Sequence, residues 1–389
     1  MREAERLAER RRYAEAVRTL ELAMIAGDSS ETLLRDLAGY YRKVGDLRRA
    51  TGLLKPLADR ARPRPWHLLE VAGMLVDQGK FTEAEGYLAR FEELKPKDPR
   101  ADRLRRRAAE RLSIVHLYPG ARLDTFAHNT AADDNFPHLT PDGSLLWASD
   151  RAGDGKRLSG WTGRAMVALY CAVPDETGGW QAPQRLPLRR NAGRVNVASP
   201  WMHGDTLYFS ANGEAVDRAG DLPMQLYASA RDGEDGGFAP GVRIGSQSAG
   251  ALNLHPAVSP DGQWLYFAST APSGFGGLDL YVCRRRADGG WGRPDNLGSA
   301  VNTERHDGFP VAAADGRLYF ASQGHVGLGG FDLYVTERGP DGVWSAPRNL
   351  GEPVNGPGDE TCWLPVAPRR AYLVSDRVGG DDDIYEVRW

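Results

Sequence analysis

The sequence predicts a chain of two parts, a helical N-terminal segment followed by a closed ring of five small β-sheets. Two stretches of the C-terminal half, residues 254–302 and 309–355, repeat one another almost phrase for phrase. The first 112 residues lack that phrase and repeat a helical one at steps of 34 residues. The two ends of the β-rich part complete one another, which predicts that the ring closes on itself.

The helical segment, residues 1–112, is rich in Ala, Leu, Arg and Glu, with apolar residues at helical spacing. A bulky residue followed three positions later by alanine recurs at Tyr13 and Ala16, Leu47 and Ala50, and Phe81 and Ala84. Gly45 and Gly79 precede the later copies, where glycine can end one helix and turn the chain into the next. We expect helices over 3–26 with a break near Arg11, 30–44, 47–60, 66–78, 81–94 and 99–111.

A helix-turn-helix period of 34 residues with a Gly-x-Φ-x-x-Ala phrase resembles the tetratricopeptide repeat. The resemblance implies helix pairs that stack into a superhelix, whose concave groove binds an extended peptide or a helix of another protein. The alternative is a rigid spacer that supports the β-rich part.

The β-rich part, residues 113–389, contains five copies of one unit, each beginning near a proline at Pro137, Pro200, Pro256, Pro310 and Pro365. Three copies carry an Asp-Gly turn, a strong hairpin signal because glycine accepts positive φ. A run of β-forming residues follows, and we expect a fourth strand to begin at an aromatic residue: Trp180, Phe238, Trp291 and Trp344. Four short antiparallel strands per copy make the blade of a β-propeller.

The ends of the chain predict how the ring closes. Only 24 residues follow Pro365, enough for three strands of the last copy. Asn129-Thr130 stands eight residues before Pro137, as Asn302-Thr303 stands eight before Pro310, so the piece before the first copy reads as the tail of a repeat. We expect a strand near 114–123 to pair with the last blade, which removes an exposed edge. Five blades are the prediction and six the alternative.

The unit P-x-x-S-P-D-G-x-x-L-Y-F-x-S, G-x-G-G-x-D-L-Y and W-x-x-P-x-N-L-G-x-x-V-N-T resembles the TolB-type, WD-repeat-like propeller, most strongly over residues 254–355. The whole chain is similar to bacterial cell-envelope proteins that join tetratricopeptide repeats, this propeller and an OmpA-type domain, here without the OmpA-type domain. The resemblance implies a periplasmic or envelope location and protein partners. The first twenty residues read as a charged helix and not as a secretory signal, so a cytoplasmic location stays open.

Composition excludes several classes of partner and cofactor. A net charge of −3 indicates no nucleic-acid partner. The sequence contains no run of 18 apolar residues, so we predict no membrane span. The three cysteines are far apart and form no C-x-x-C pair, so we predict neither a metal nor another cofactor. The sequence contains no nucleophile elbow, P-loop or dinucleotide fingerprint, which favours a protein that is not an enzyme.

Residues near the anchoring prolines should lie at the mouth of the central channel, which we expect to be polar and water-filled. The candidates for ligand or partner binding there are Asp134, His138, Trp201, His203, Asn253, His255, Asp307, Glu360 and Trp363. Their unlike spacing does not favour a metal site. The acids of the Gly-rich turns should instead accept backbone N–H groups in their own turns; they are Asp279, Asp332 and Asp383.

Three functions remain open from the sequence. The first is a non-enzymatic scaffold whose helical groove and propeller face bind proteins. The second is a periplasmic propeller that binds a glycan or peptide at its channel mouth. The third, with least support, is a propeller hydrolase or lyase.

Overall fold

The computed structural model describes residues 2–9, 13–43, 46–151, 165–188, 196–212, 223–232, 237–245, 250–378 and 381–389. The chain divides into two compact units, and the main boundary between them falls after Ile114. We call them the helical unit and the β unit. Their order along the chain confirms the predicted fold class.

The helical unit contains seven helices within the described residues. They are α1 (Arg2–Glu9), α2 (Tyr13–Ile25), α3 (Glu31–Lys43), α4 (Leu47–Ala58), α5 (Pro65–Asp77), α6 (Phe81–Leu94) and α7 (Pro99–Leu112). The bounds follow the predicted ones within a few residues. The predicted break near Arg11 separates α1 from α2, although Arg11 and Gly45 themselves lie outside the described residues.

Small residues sit where the helices of the unit pack most closely. Ala16, Ala50 and Ala84, the alanines of the repeated phrase, are 0%, 0% and 1% exposed. Alanine has no atoms beyond Cβ, so it lets two helix backbones approach while larger neighbours fill the remaining core. The repeated phrase is therefore a packing signal.

Local chemistry explains where these helices begin. The Oδ1 of Asp46 accepts the N–H of Arg49 at 2.8 Å and caps α4. Pro65 and Pro99 occupy the first turns of α5 and α7, where a missing N–H leaves no hydrogen bond unmade. Gly79 turns the chain between α5 and α6 with a φ of 70°.

Alternate helices of the unit lie side by side. Arg42 of α3 pairs with Glu70 of α5 at 2.7 Å, and Lys55 of α4 pairs with Glu83 of α6 at 2.5 Å. Consecutive helices also pack against one another from α1 to α6. This is the two-layer arrangement of stacked helix pairs.

Over its described residues the β unit forms five antiparallel sheets, which we call blades one to five. Blade one contains β2 (Asp134–Leu139), β3 (Leu145–Ser149), β4 (Ala168–Ala172) and β5 (Gln184–Arg185). Blade two contains β6 (Val197–His203), β7 (Thr206–Asn212), β8 (Met224–Asp232), β9 (Gly237–Phe238) and β10 (Val242–Arg243). Blade three contains β11 (Asn253–Val258), β12 (Trp264–Ser269), β13 (Asp279–Arg284) and β14 (Asp295–Asn296). Blade four contains β15 (Asp307–Ala312), β16 (Arg317–Ser322), β17 (Asp332–Glu337) and β18 (Arg348–Asn349). Blade five contains β19 (Glu360–Ala367), β20 (Arg370–Ser375), β21 (Asp383–Arg388) and β1 (Arg122–Thr125).

The first strands of the blades surround a common axis. β2 contacts β6, β6 contacts β11, β11 contacts β15, β15 contacts β19, and β19 contacts β2. That circuit is a closed five-bladed propeller. Five blades are confirmed, and the six-bladed alternative is wrong.

The first β-strand that follows the helical unit in the sequence completes the last blade. β1 pairs antiparallel with β21, with Leu123 opposite Val387 and Asp124 opposite Glu386. The predicted closure is confirmed, but the strand begins at Arg122 and not near residue 114. The reason is a turn before the strand, where the N–H of Ala121 donates to the carbonyl of Tyr118 at 3.1 Å and Gly120 has a φ of 80°.

The outer strands differ from the prediction. Trp180, Trp291 and Trp344 close hairpin turns as isolated bridges, and the fourth strands begin four residues later and are two residues long. The aromatic residues instead pack between blades: Trp291 lies 6.1 Å from Tyr208 of blade two, and Trp344 lies 6.0 Å from Tyr266 of blade three. Such short outer strands leave little edge for unwanted pairing.

An asparagine clamps the third strand in three of the blades. The Oδ1 of Asn302 accepts the N–H of Leu280 at 2.7 Å, and its Nδ2 donates to the Leu280 carbonyl at 3.0 Å. Asn355 holds Leu333 in the same way, at 2.8 and 2.9 Å. Asn129 holds Ile384 of the last blade, at 3.2 and 2.8 Å. The repeated Asn-Thr phrase therefore marks the clamp, and its first copy joins the two ends of the ring.

Replacing Asn302 with alanine is expected to lower the free energy of unfolding by about 1–3 kcal/mol, because it leaves the buried N–H of Leu280 without its partner, whereas the Leu280 carbonyl keeps the N–H of Leu297. Urea unfolding of the intact chain, followed by tryptophan fluorescence, measures the loss. Gln263→Ala, at an exposed turn position, is the control. Equal midpoints for the two variants would contradict the role of the clamp.

Candidate functional site

Four of the predicted site residues are the first residues of innermost strands. They are Asp134 of β2, Asn253 of β11, Asp307 of β15 and Glu360 of β19. Each is at most 1% exposed. Buried carboxylates need partners within the protein, and those partners show what these residues do.

Asp134 is bound from both sides of its carboxylate. Its Oδ2 accepts the N–H and the hydroxyl of Thr130 at 2.7 and 2.9 Å. Its Oδ1 accepts Nε1 of Trp147 at 3.2 Å and Nη2 of Arg151 at 2.5 Å. The same Nη2 donates to the carbonyl of His128 at 3.0 Å. Arg151 therefore neutralises a buried charge and ties β2 to the segment that enters it.

Blade five repeats this arrangement with a glutamate. Arg377 Nη2 donates to Oε1 of Glu360 at 3.1 Å and to the carbonyl of Val354 at 2.6 Å. The hydroxyl of Ser375 donates to the same Oε1 at 2.8 Å. Sequence reasoning missed both arginines, although a Ser-Asp-Arg phrase ends the second strand of blades one and five.

Blade four places a histidine where the other two blades place arginine. His325 Nε2 donates to the carbonyl of Val301 at 2.7 Å. Its ring lies 5.2 Å from that of Tyr334, just as Arg151 lies 4.7 Å from the ring of Tyr170. Each of the three carbonyls belongs to the residue before a clamp asparagine: Val301, His128 and Val354. The arginine and histidine side chains therefore act at equivalent contacts between neighbouring blades, which we call joints.

The acids of the Gly-rich turns lie close to these joints. Asp279 Oδ2 accepts the N–H of Phe275 at 2.5 Å, within its own turn. Burial, and then the nearby charge of Asp307, raise the pKa of Asp279. A Cβ at Gly274 would lie 2.1 Å from Asp279 Oδ2, and one at Gly327 would lie 2.0 Å from Asp332 Oδ2. The glycines of this turn make room for the carboxylates.

Aromatic rings fill the axis at the level of the anchoring prolines. Phe136, His255 and Phe309 immediately precede those prolines in blades one, three and four, with φ values of 54°, 58° and 55°. Their ring centroids are 5.0 Å apart for Phe136 and His255, 5.6 Å for Phe136 and Phe309, and 4.1 Å for His255 and Phe309. Because the two contacts of Phe136 cross the axis between blades that are not neighbours, a polar, water-filled channel does not form at this level.

His255 takes part in this cluster as a neutral ring. Its Nδ1 accepts the N–H of Phe309 at 3.1 Å. Burial lowers the pKa of His255 to about 3. A positive φ is unusual for a bulky residue, and a bulge in each strand accommodates it here.

The remaining predicted residues lie elsewhere. His138 stacks 4.5 Å from Trp201 and donates to the carbonyl of Met202 at 3.2 Å, and burial lowers its pKa to about 4. His203 lies at the opposite end of β6 from Val197, against Gly262. Trp363 is fully buried, 4.9 Å from Tyr118 and 5.6 Å from Trp389. The nine residues are not brought into one site, and their ligand-binding roles stay predictions.

A cleft of about 330 Å³ opens between blades three and four. Its aromatic walls are Trp264, Tyr266 and Trp344, and its floor includes Ala312, Ala313 and Ala314. Asp261, Arg317 and Arg338 also line it. Sequence reasoning missed the cleft, and the available signal was the run of three alanines where blades one and three have Leu-Thr-Pro and Val-Ser-Pro.

The part of the chain that the structure describes lacks two features. No group of three or more His, Cys, Asp and Glu in that part of the chain is placed to hold a metal ion. No helix there is long and apolar enough to cross a membrane.

Comparison with known proteins gives likeness only at the level of solved structures. No protein-family model matches the sequence, and the search of curated proteins found no match. An α-L-arabinofuranosidase from Lactobacillus brevis is 13% identical, with a TM-score of 0.44, and the match covers 70% of this chain and 92% of that one. A TolB from Agrobacterium tumefaciens is 15% identical, with a TM-score of 0.41, over 66% of this chain and 76% of that one. A sialidase from Trypanosoma rangeli is 11% identical, with a TM-score of 0.38, over 70% of this chain and 60% of that one. Likeness this slight assigns neither a family nor an activity.

Replacing Arg151 with methionine is expected to destabilise the β unit by about 3–5 kcal/mol, because Asp134 is left as an uncompensated buried charge. Arg151→Met combined with Asp134→Asn should recover part of that loss, since no charge then remains buried. Urea unfolding of the two variants and of Asp134→Asn alone completes the cycle. Additive losses would show that the two side chains do not act together.

The carboxyl of Asp383 should make stability depend on pH. Burial, and then the charges of Asp134, Asp381 and Asp133, raise its pKa to about 6. The folded protein thus holds this proton more tightly than the unfolded chain, in which the pKa of aspartate is about 3.9. This contribution to stability is full below pH about 4, falls as pH rises to about 6 and is constant above that.

Asp383→Asn should therefore flatten the decline of unfolding free energy between pH 4 and 6, as measured by urea unfolding across that range. Asp288→Asn is the control, because hydrogen bonds from Gly290 and Arg286 lower the pKa of that exposed carboxyl. A pH profile for Asp383→Asn that parallels wild type would refute the assignment.

Proposed function

We propose that the protein is a non-enzymatic scaffold whose helical unit and β unit bind protein partners. The observation that carries the proposal is that the polar side chains around the axis are bound by other groups of the protein. Asp134 and Glu360 are held by arginines, and His255 is neutral and packed between phenylalanines. These groups are committed to holding blades together, which leaves the surfaces of the two units for recognition.

The helical unit supports the same proposal. Its paired layers resemble tetratricopeptide repeats, which bind peptides and helices of other proteins. The resemblance to envelope proteins that join such repeats to a TolB-like propeller supports a role in a bacterial cell-envelope assembly. The periplasmic or envelope location is part of this proposal.

A second candidate is a propeller that binds a small peptide or glycan. The cleft between blades three and four favours it, because three aromatic side chains and two arginines converge on a volume of about 330 Å³. This volume is at the lower end of the range for small-ligand sites, roughly 300–1,000 Å³. A hydrolase or lyase has less support than either binding function.

Photo-crosslinking of the full-length protein in its native cells tests the scaffold proposal. A benzophenone amino acid replaces Arg35 on α3 or the exposed Pro260 beside the cleft, and Glu176 in an exposed turn of blade one is the control position. Discrete crosslinked proteins should appear at Arg35 and Pro260 and be absent at Glu176. Identical patterns at all three positions would refute specific partner binding.

A further inference from the structure

The cleft between blades three and four carries positive charge that the protein does not neutralise. Arg338 lies 4.8 Å from the ring centroid of Trp264, and Arg284 lies 5.8 Å from the same ring. Among the described residues, neither arginine forms an ion pair. Arg317, which also lines the cleft, is by contrast paired with Glu337 at 2.8 Å. Arg338 lines the cleft and Arg284 does not, so within the cleft Arg338 supplies the positive charge beside the indole.

The other polar groups of the cleft are held in ways that leave Arg338 available. The Nε of Arg338 donates to the carbonyl of Gly342 at 3.1 Å, which fixes the guanidinium and leaves its terminal nitrogens for another acceptor. Asp261 is turned toward its own hairpin, where its Oδ1 accepts the hydroxyl of Ser259 at 2.5 Å and the N–H of Gln263 at 3.0 Å. Burial raises the pKa of Tyr266 to about 12, so its hydroxyl is neutral and can donate.

The neighbouring joint shows why space exists here. His203 of blade two stands three residues after its anchoring proline, and its counterpart in blade three is Ser259, which lines the cleft. The ring of His203 lies against Gly262 of blade three, where an added Cβ would be 2.6 Å from Nε2. Gly316, the counterpart of Gly262, lines the cleft. The cleft therefore occupies the position that the imidazole of His203 fills between blades two and three.

We propose that this cleft binds an acidic peptide segment of a protein partner. A glutamate or aspartate carboxylate is held by the terminal nitrogens of Arg338 and the hydroxyl of Tyr266, and an adjacent apolar side chain packs over Ala313. Arginine suits a carboxylate because its planar fork can donate two parallel hydrogen bonds. Because guanidinium groups already lie over Trp264, a sugar ring is a poorer match for that wall. This inference rests on the proposed interaction function and names the chemistry of one of its partners.

Fluorescence anisotropy with the full-length protein tests the proposal. The probe is a short fluorescein-labelled peptide of alternating glutamate and leucine, and the matched probe has glutamine in place of glutamate. Wild type should bind the glutamate peptide more tightly than the glutamine peptide. Arg338→Ala should weaken glutamate-peptide binding by about tenfold or more, as expected for loss of a charged hydrogen bond.

Two further variants separate the cleft from general charge effects. Ser259→His should block binding by filling the cleft with a side chain that the fold already accepts at the same position in blade two. Arg285→Ala removes the arginine at the position of Arg338 in blade three, which lies 5.2 Å from Trp291, and should leave affinity unchanged. Thermal unfolding checks that each variant is folded.

The proposal is overturned if the glutamate peptide does not bind, if both peptides bind equally, or if Arg285→Ala and Arg338→Ala weaken binding alike. Tighter binding of an oligosaccharide than of the glutamate peptide would also overturn it. None of these results affects partner binding by the helical unit, which crosslinking at Arg35 reports independently. Failure of the cleft and failure of the scaffold function are therefore distinguishable.

Discussion

The propeller depends on joining two parts of the chain that are more than 250 residues apart. Asn129 makes both hydrogen bonds to Ile384, and β1 supplies the outer strand of the blade that contains Ile384. Each blade alone is a small sheet with little core, so its stability comes from packing between two neighbours. A ring satisfies that need for every blade only when the last one meets the first. The clamp and the strand act together, because the asparagine stands only four residues beyond the end of β1.

Closure also determines how the buried charges are distributed. Every joint that receives a carboxylate from an innermost strand must compensate it without water. Blades one and five use Arg151 and Arg377, and each guanidinium also binds the carbonyl that precedes a clamp asparagine. One side chain thereby neutralises a charge and fixes the chain that enters the blade. Blade four retains the carbonyl contact through His325, and its Asp307 accepts from Thr303 instead. The two joints on either side of the closed blade are those with the stronger, charged connection.

The sequence predicted the architecture well because repetition exposes it. Prolines, Asp-Gly turns and the displaced Asn-Thr phrase gave the number of blades and the closure, since each is tied to local backbone geometry. The sites were less predictable. A residue such as Asp307 looks the same in sequence whether its carboxylate faces a channel or is buried, and burial depends on which blade lies beside it. The ring cluster of Phe136, His255 and Phe309 joins blades that are far apart in sequence, so no local sequence pattern predicts it. The outer strands were misplaced because a tryptophan that packs between blades reads like the start of a strand.

The filled axis changes where recognition can take place. Propellers with an open channel can bind ligands where all blades converge, but here aromatic rings occupy that volume. Differences between blades then matter more than their common features, because a joint becomes a site only where it departs from the repeat. Blade four departs from blades one and three by carrying three alanines before its Asp-Gly turn. The alanines line the cleft without side chains that could fill it, and Trp264 of blade three and Arg338 of blade four line it as well. The joint between blades three and four is thereby open beside an arginine that forms no ion pair with any residue that the structure describes.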